Sequence, residues 1–572
     1  MTSQEIRKRI LEVVDANGGH LASSLGAVEI AMALAEVFDP QKDRVVWDVG
    51  HQAYAWKLLT ESMRGGKKFD SLRQIDGLAP FPNPAESVAD AAISGHAGVS
   101  ISVATGLAVA RDLRGSDEHI VAVVGDGALV NGTSFEALNN LATTTKKLIV
   151  VLNDNEMSIS RPTGSFAKLL GRLITNVRYN RVKTAAERAG HRMRLTFLRR
   201  IYHGVESRMK SWFLGNAFFE QFGLRYVGPV DGHNLEQLSA AFTVAKEYPH
   251  SVLIHVVTKK GCGYLPAEKD PTRYHGISSG VISGSQSSNQ GAQLSWSDAF
   301  GNALSAIART DNRVVALTAG MKDGTGLSGF AREFPQRFFD VGIAEGHMVA
   351  FAAGLAAGGQ RPVVAVYSTF LQRAIDQVMH DVCISNLPVI FCVDRAGVVG
   401  ADGVTHQGLY DIAMLRALPN LTICQPKDEA DLRALLNEAL QRNGPTVIRY
   451  PRGIAPLAAD VPRLDENAKI ALWATGDQLT KAQAIAAQVP FSTVVFARYL
   501  RPFDAELLAR QRAAGLRIVS LENGAVKGGF GESIGADLCL GWPDQFVPHG
   551  SVAELERRFG FDVDSIVRRL NG

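Results

Sequence analysis

No two cysteines in this chain are spaced to share a metal or a short bridge. Cys262, Cys383, Cys392, Cys424 and Cys539 are scattered through 572 residues. With no CxxC pair there is no basis for a disulfide framework or a cysteine zinc site, and the usage fits a reducing compartment. Long apolar runs are missing too: no segment approaches the roughly twenty residues a membrane-spanning helix needs. Charge is nearly balanced, with 60 Lys and Arg against 57 Asp and Glu and a net charge of +3. That balance gives no global reason to expect nucleic acid or membrane as a partner. The first fifteen residues read as an amphipathic helix carrying Glu5, Arg7, Lys8 and Arg9. They lack the apolar centre of a signal peptide, so the expected location is cytoplasmic.

What is present is an ordinary globular composition, 46% hydrophobic and 20% charged, in a chain too long for one core. Short β-branched runs recur at 120–124, 148–152, 252–257, 314–317, 363–366, 389–393, 421–424, 447–450, 470–473, 493–496 and 517–521. They are apolar without in/out alternation and are spaced for intervening helices, which predicts parallel sheets covered on both faces. Residues 276–293 are rich in Gly, Ser, Gln and Asn, and 453–466 hold Pro456, Pro462 and several Asp. Both read as joints. The expected fold is α/β, in three consecutive domains, each a mainly parallel sheet flanked by helices: 1–280, a linker at 281–293, 294–458 and 459–572. Residues 168–210 are strongly basic, with only Glu187 and Glu206 as acids, and read as a solvated helical excursion over the active site.

The strongest local signal is Gly125-Asp126-Gly127 directly after one predicted strand, with Asn153-Asp154-Asn155 after the next. Open α/β sheets bind ligands at such strand ends. A diphosphate placed there needs a divalent cation between it and the carboxylates. Asp126 and Asn155 offer hard oxygen ligands for Mg²⁺, with a backbone carbonyl near Met157 as a third. Flanking glycines let backbone N–H groups approach phosphate. A lone Gly-Asp-Gly is common in turns, but with the Asn pair the arrangement resembles the thiamine-diphosphate fingerprint. That chemistry also needs a carboxylate beside the cofactor's aminopyrimidine. Glu345 is the candidate, because it opens an apolar helix and is expected to be partly buried; its plainer reading is a helix N-terminal Glu that complements the dipole.

Five histidines, His20, His51, His96, His275 and His406, lie in Gly-rich or turn-like settings outside any apolar stripe. Such a set suits a site that moves protons and binds polar carbonyl substrates. Arg373, Arg395 and Arg452 are candidates for anion capture, the last two after predicted strands. A structural ion pair is the plain alternative for each.

Nine stretches then carry a resemblance over nearly the whole length: GGHLASSLG (18–26), DVGHQAY (48–54), GDGA (125–128), LNDNEMSIS (152–160), YVGPVDGHN (226–234), residues 258–275, YSTFLQR (367–373), DRAGVVGADGVTHQG (394–408) and RYPRG (449–453). They resemble the 1-deoxy-D-xylulose-5-phosphate synthase family of transketolase-like thiamine-diphosphate enzymes. The resemblance implies thiamine diphosphate and Mg²⁺ as cofactors, pyruvate and D-glyceraldehyde 3-phosphate as substrates, and a homodimer. By position it implies Asp126, Asn155 and Met157 at the metal. At the cofactor it implies His51, Gly95, His96, Ala97, Gly127, Ala128, Asn155, Tyr264, Phe370 and Glu345. His20, His51 and His406 would handle protons or substrate hydroxyls, and His275 would line the pyruvate side. Tyr367, Arg373, Arg395, Asp402, His406 and Arg452 would hold the acceptor. Rival readings are a related carboligase with another acceptor and a non-catalytic cofactor-binding relative.

Against the family pattern, Gly346 stands where Gln is usual, Ala97-Gly98-Val99 replaces a Ser/Thr-rich run, and 163–219 match poorly. The C-terminal segment carries Gly528-Gly529-Phe530-Gly531 but no catalytic set, and is expected to serve packing or dimerisation.

Overall fold

Alternate residues of the central strands face two different cores, which is why the sequence shows no in/out alternation. Leu317, Val364, Val366, Phe391 and Val393 pack into one cluster, while Ala316, Val363, Ala365, Ile390 and Cys392 pack into another on the opposite face of the same sheet. The structure, a computed structural model, describes residues 1–155, 216–285 and 293–571. Residues 168–210 and Met157 lie outside the described residues.

The described residues form three sheets. The first comprises β1 (Arg44–Trp47), β2 (Ile120–Gly125), β3 (Ile149–Asp154), β4 (Arg225–Asp231) and β5 (Val252–Val257), in the order β1-β2-β3-β5-β4 and parallel throughout. The second contains β6 (Val314–Thr318), β7 (Phe338–Asp340), β8 (Arg361–Tyr367), β9 (Ile390–Asp394), β10 (Thr422–Cys424) and β11 (Thr446–Arg449). The third contains β12 (Ile470–Thr475), β13 (Ser492–Ala497), β15 (Arg517–Ala525) and β16 (Leu538–Trp542), all parallel. Between β13 and β15 the chain runs back to the second sheet, where β14 (Tyr499–Arg501) pairs antiparallel with β10.

All eleven predicted strands form; ten agree within two residues at their ends, and β15 runs four residues past its apolar run, to Ala525. Five others, β1, β4, β7, β14 and β16, escape the apolar-run criterion. Two of them, β7 and β14, have only three residues each, and β4 is a partly exposed edge strand. The amphipathic start folds as the helix Ser3–Asn17, closed by a Thr2/Glu5 capping box. Among the described residues no helix is long and apolar enough to cross a membrane.

The chain groups into two compact units. One is residues 1–72 with 77–286; the other is 287–572 together with the short segment Arg73–Asp76.

Candidate active site

In the first unit, segments beyond β1, β2, β3 and β5 carry the predicted cofactor residues other than Glu345 and Phe370, which lie in the second. Beyond β1, the buried Asp48 carboxylate accepts from the Gly98 and Ser100 N–H groups (2.8 and 3.0 Å). It thereby caps the helix Ser100–Arg114, which has no capping side chain of its own. Val49 and Gly50 then take φ of 59° and 79°, a sharp reversal that delivers His51. A Cβ on Gly50 would collide with Pro82 and Ser94, so the stretch leading to Gly95 and His96 lies flush on this turn.

Three histidines far apart in sequence meet here. Ring centroids of His51 and His275 are 5.2 Å apart, His20 and His275 5.7 Å, and His20 and His51 6.1 Å. Ser24 Oγ donates to the His51 carbonyl at 2.8 Å, and the His20 N–H donates to Tyr54 Oη at 3.2 Å. Tyr264 packs edge-on against Tyr274, the neighbour of His275, at 5.7 Å.

Asp126 is the first residue after β2, and Asn155 follows β3 directly. The register pairs Gly125 with Asn153, so both sit just past one level of the sheet. Asp126 is buried, and burial together with the Asp154 carboxylate pushes it up to about 7, against the pull of Lys260. Lys260 is itself buried and brought down to about 8. The loop is fixed from both faces of β3. Asn153 donates to Gln52 Oε1 (2.8 Å) and accepts from Thr258 Oγ1 (2.6 Å). On the other side, Asp154 Oδ2 lies 2.9 Å from His255 Nε2, whose Nδ1 is 2.7 Å from Tyr226 Oη.

This donor set fits Mg²⁺ held with a diphosphate. Among the described residues no three His, Cys, Asp or Glu side chains converge as a metal cluster. The oxygens on hand are one buried carboxylate and one amide, leaving the remaining positions of a hard cation to backbone and phosphate oxygens. Gly127 and the buried Ala128 open the short helix after β2. Ala97 is buried beside Gly98, which has φ of 86°; a Cβ there would lie 2.6 Å from Asn131 Cβ.

The second unit holds Glu345 and the acceptor candidates. Glu345 opens the helix Glu345–Ala357, is 4% exposed, and is pushed up by burial against the field of Arg373. Arg373 therefore stands electrostatically beside Glu345. A Cβ on Gly346 would meet the Gln377 amide at 3.2 Å, so Gln377 occupies the space beside that position.

Around the ends of β8, β9 and β11 a tight cluster forms. The Arg395 guanidinium sits 4.0 Å over the Tyr367 ring, Tyr367 stacks on Phe370 (5.6 Å), and Phe370 meets His406 edge-on (5.6 Å). Arg452 Nη1 approaches Asp402 Oδ2 at 3.9 Å. Burial lowers His406 to about 4; Asp402 opposes this, while Arg395 and Arg73 reinforce it, so its imidazole is neutral near pH 7. Tyr367 is pushed up to about 12 by burial and keeps its proton.

Sequence reasoning missed three residues here. Arg73 Nη1 donates to Asp402 Oδ1 at 2.6 Å, making a third cation in the cluster; it lies in a non-periodic stretch that gives no pattern to read. Lys260 falls within 258–275, where a single loop lysine carries no pattern that marks it. His255 sits mid-strand and reads as core.

Strand-end sites of this kind on parallel sheets are those of α/β enzymes, and the family models narrow the class to the transketolase type. Residues 292–456 match the model of the transketolase pyrimidine-binding domain, and residues 1–258 match that of 1-deoxy-D-xylulose-5-phosphate synthase. The chain is 45% identical to 1-deoxy-D-xylulose-5-phosphate synthase 1 of Geobacter metallireducens, over 99% of the chain and 95% of that protein. The synthases of Oleidesulfovibrio alaskensis and Clostridium tetani are 43% and 42% identical, over 99% and 100% of the chain and 94% and 96% of their own lengths. The chain belongs to the 1-deoxy-D-xylulose-5-phosphate synthase family.

Proposed function

We propose that this chain decarboxylates pyruvate and joins the two-carbon unit to D-glyceraldehyde 3-phosphate, giving 1-deoxy-D-xylulose 5-phosphate and CO₂. This is the first step of the non-mevalonate isoprenoid route and also feeds thiamine and pyridoxal synthesis. The observation that carries the reading is the Arg395–Tyr367–Asp402–Arg452 cluster, two strand-end guanidiniums around a buried tyrosine. It suits a small phosphorylated aldehyde.

Thiamine diphosphate, when bound with Mg²⁺, supplies the electron sink for decarboxylation. In this proposal Asp126, Asn155 and Met157 hold the metal, while His51, Gly95, His96, Ala97, Gly127, Ala128, Tyr264 and Phe370 line the cofactor. Glu345, whose carboxyl is pushed up by burial against the field of Arg373, would stand at the aminopyrimidine. His20 and His51 exchange protons near the reacting carbonyl, with His275 on the pyruvate side. His406, neutral, directs its ring at the acceptor hydroxyl. Arg395 and Arg452 fix the acceptor phosphate and so its carbonyl. The boundaries 1–280, 294–458 and 459–572, a homodimer and a cytoplasmic location belong to the same proposal.

Purified protein given both cofactors, pyruvate and glyceraldehyde 3-phosphate is expected to release CO₂ and the deoxyketose phosphate in equal amounts. Product with a different aldehyde but none with this one would overturn the acceptor. Glu345→Ala is expected to lower turnover by at least about a hundredfold while leaving Mg²⁺-dependent cofactor binding measurable.

A further inference from the structure

The acceptor cluster hangs on a loop that cannot hold its own shape. Residues 395–408 carry Arg395, Asp402 and His406 and contain only one helical turn, Gly403–Thr405. The loop closes on itself where Gly397 and Gly408 exchange two backbone hydrogen bonds (2.6 and 2.8 Å). The N–H groups of Val398, Val399 and Gly400 sit in a buried stretch and need acceptors.

Two side chains supply them. Gln407 Oε1 accepts from Val399 (2.7 Å) and Gly400 (3.3 Å), and Asn523 Oδ1 accepts from Val398 (3.1 Å). Asn523 is not part of the loop; it lies on β15 in the third sheet. Its amide is fixed from every side. The side-chain oxygen also accepts from Trp542 Nε1 at 3.0 Å, Nδ2 donates to Asp477 Oδ2 at 2.9 Å, and the backbone carbonyl of Asn523 accepts from Arg449 Nη2 at 3.0 Å. Gly397, at φ 96°, lies directly on that amide, with no room there for a Cβ. A second link joins the loop to the chain that follows β16, where Gln407 Nε2 donates to the Pro548 carbonyl at 3.1 Å.

We propose that Asn523 is a positioning residue for the acceptor: the C-terminal segment, through Asn523 on β15 and Pro548 beyond β16, holds the 395–408 loop so that Arg395 and His406 face the incoming phosphorylated aldehyde. The inference rests on the function proposed above. It gives the C-terminal segment a part in catalysis beyond packing or dimerisation. Val398 is three residues from Arg395, so a shift at the anchor passes directly to the guanidinium. Glu345 lies on a different element from Asn523, so loss of the anchor is expected to act on the acceptor loop and not on the aminopyrimidine carboxylate.

The test uses full-length protein loaded with thiamine diphosphate and Mg²⁺, in three forms: Asn523→Leu, Gln407→Glu, and the swap Asn523→Asp with Asp477→Asn. Asn523→Leu and Gln407→Glu are expected to raise KM for glyceraldehyde 3-phosphate by about tenfold or more, the loss of one or two buried hydrogen bonds. KM for pyruvate and cofactor affinity are expected to stay within about twofold, a pattern general destabilisation would not produce. The swap keeps the acceptor oxygen and the contact with residue 477, and is expected to recover most of the acceptor KM. Hydrogen exchange gives a second readout, independent of turnover: the amides of 398–400 should exchange faster in Asn523→Leu. Both KM values and the thermal midpoint moving together, or amides 398–400 as protected as in the wild type, would overturn the inference. Wild-type protein that makes no deoxyketose phosphate would defeat the proposed function itself and the acceptor role with it.

Discussion

Val49 shows how much local strain one side chain carries at this site. A β-branched residue at φ 59° costs about 1–2 kcal/mol relative to one that tolerates the left-handed region. Val49 is only half-buried, so little packing repays that cost. Val49→Asn is expected to raise the thermal midpoint of the first unit by about 2 °C, because Asn adopts this conformation readily; a lower midpoint would mean that the Val49 methyls matter more than the backbone. Across the acceptor cluster the balance is electrostatic. Arg452→Ala is expected to raise KM for the phosphorylated acceptor about 10- to 100-fold, with Arg452→Lys recovering only part, since an ammonium cannot make the forked contact. Steady-state kinetics with pyruvate held saturating would check it. Residue identities were legible where composition marked them. His20, His51 and His275 stood out by their glycine-rich surroundings, and the fold brings them within 6.1 Å. Arg73 was not legible, because its role comes from Asp402, 329 positions away in sequence.

Among elements, the strands buried on both faces were readable and the edge strands were not. Apolar runs such as Val252–Val257 announce a central strand, whereas β4, exposed at every third residue or so, has the composition of a loop. The turn that opens the helix Ser100–Arg114 carries Ala97-Gly98-Val99, and the structure shows what each position tolerates. Asp48 caps the helix through the Gly98 N–H, and Gly98 holds φ of 86° against Asn131. The three positions of Ala97-Gly98-Val99 therefore do not accept a hydroxyl side chain equally. Ala97→Ser is expected to be nearly neutral. Gly98→Ser is expected to destabilise the first unit by about 2–4 kcal/mol, the sum of a left-handed backbone penalty and an overpacked contact. Thermal unfolding of the two single variants side by side would decide it, and equal midpoints would show that Asn131 gives way without cost.

For the molecule as a whole, the sequence showed the repeated α/β plan but not how the C-terminal segment ties back into the second sheet. Neither β14 nor Asn523 lies in an apolar run or a motif. The same tie contains a buried carboxylate with consequences for stability. Glu522 is fully buried, accepts from the Phe530 and Gly531 N–H groups (2.7 and 2.8 Å), and is pushed up to about 7 by burial, with Arg449 and Arg416 pulling the other way. A carboxyl raised on folding favours the folded state fully below its unfolded value of 4.5, and that advantage is lost as pH rises through about 7. Asp394, raised to about 6 by burial, acts in the same direction. Glu29, held at about 2 by His233 and Arg7 despite its burial, acts oppositely: its stabilisation is present above 4.5 and is lost only as pH falls through about 2. Between pH 5 and 8 the raised carboxyls therefore dominate among these groups, and stability is expected to fall with rising pH. Glu522→Gln mimics the protonated form and removes one contribution, so its stability should fall by about 3 kcal/mol less than that of the wild type over this range. Denaturant unfolding at pH 5 and pH 8 would show it; parallel losses in both proteins would mean that Glu522 stays ionised inside the fold, with Arg449 and Arg416 outweighing its burial.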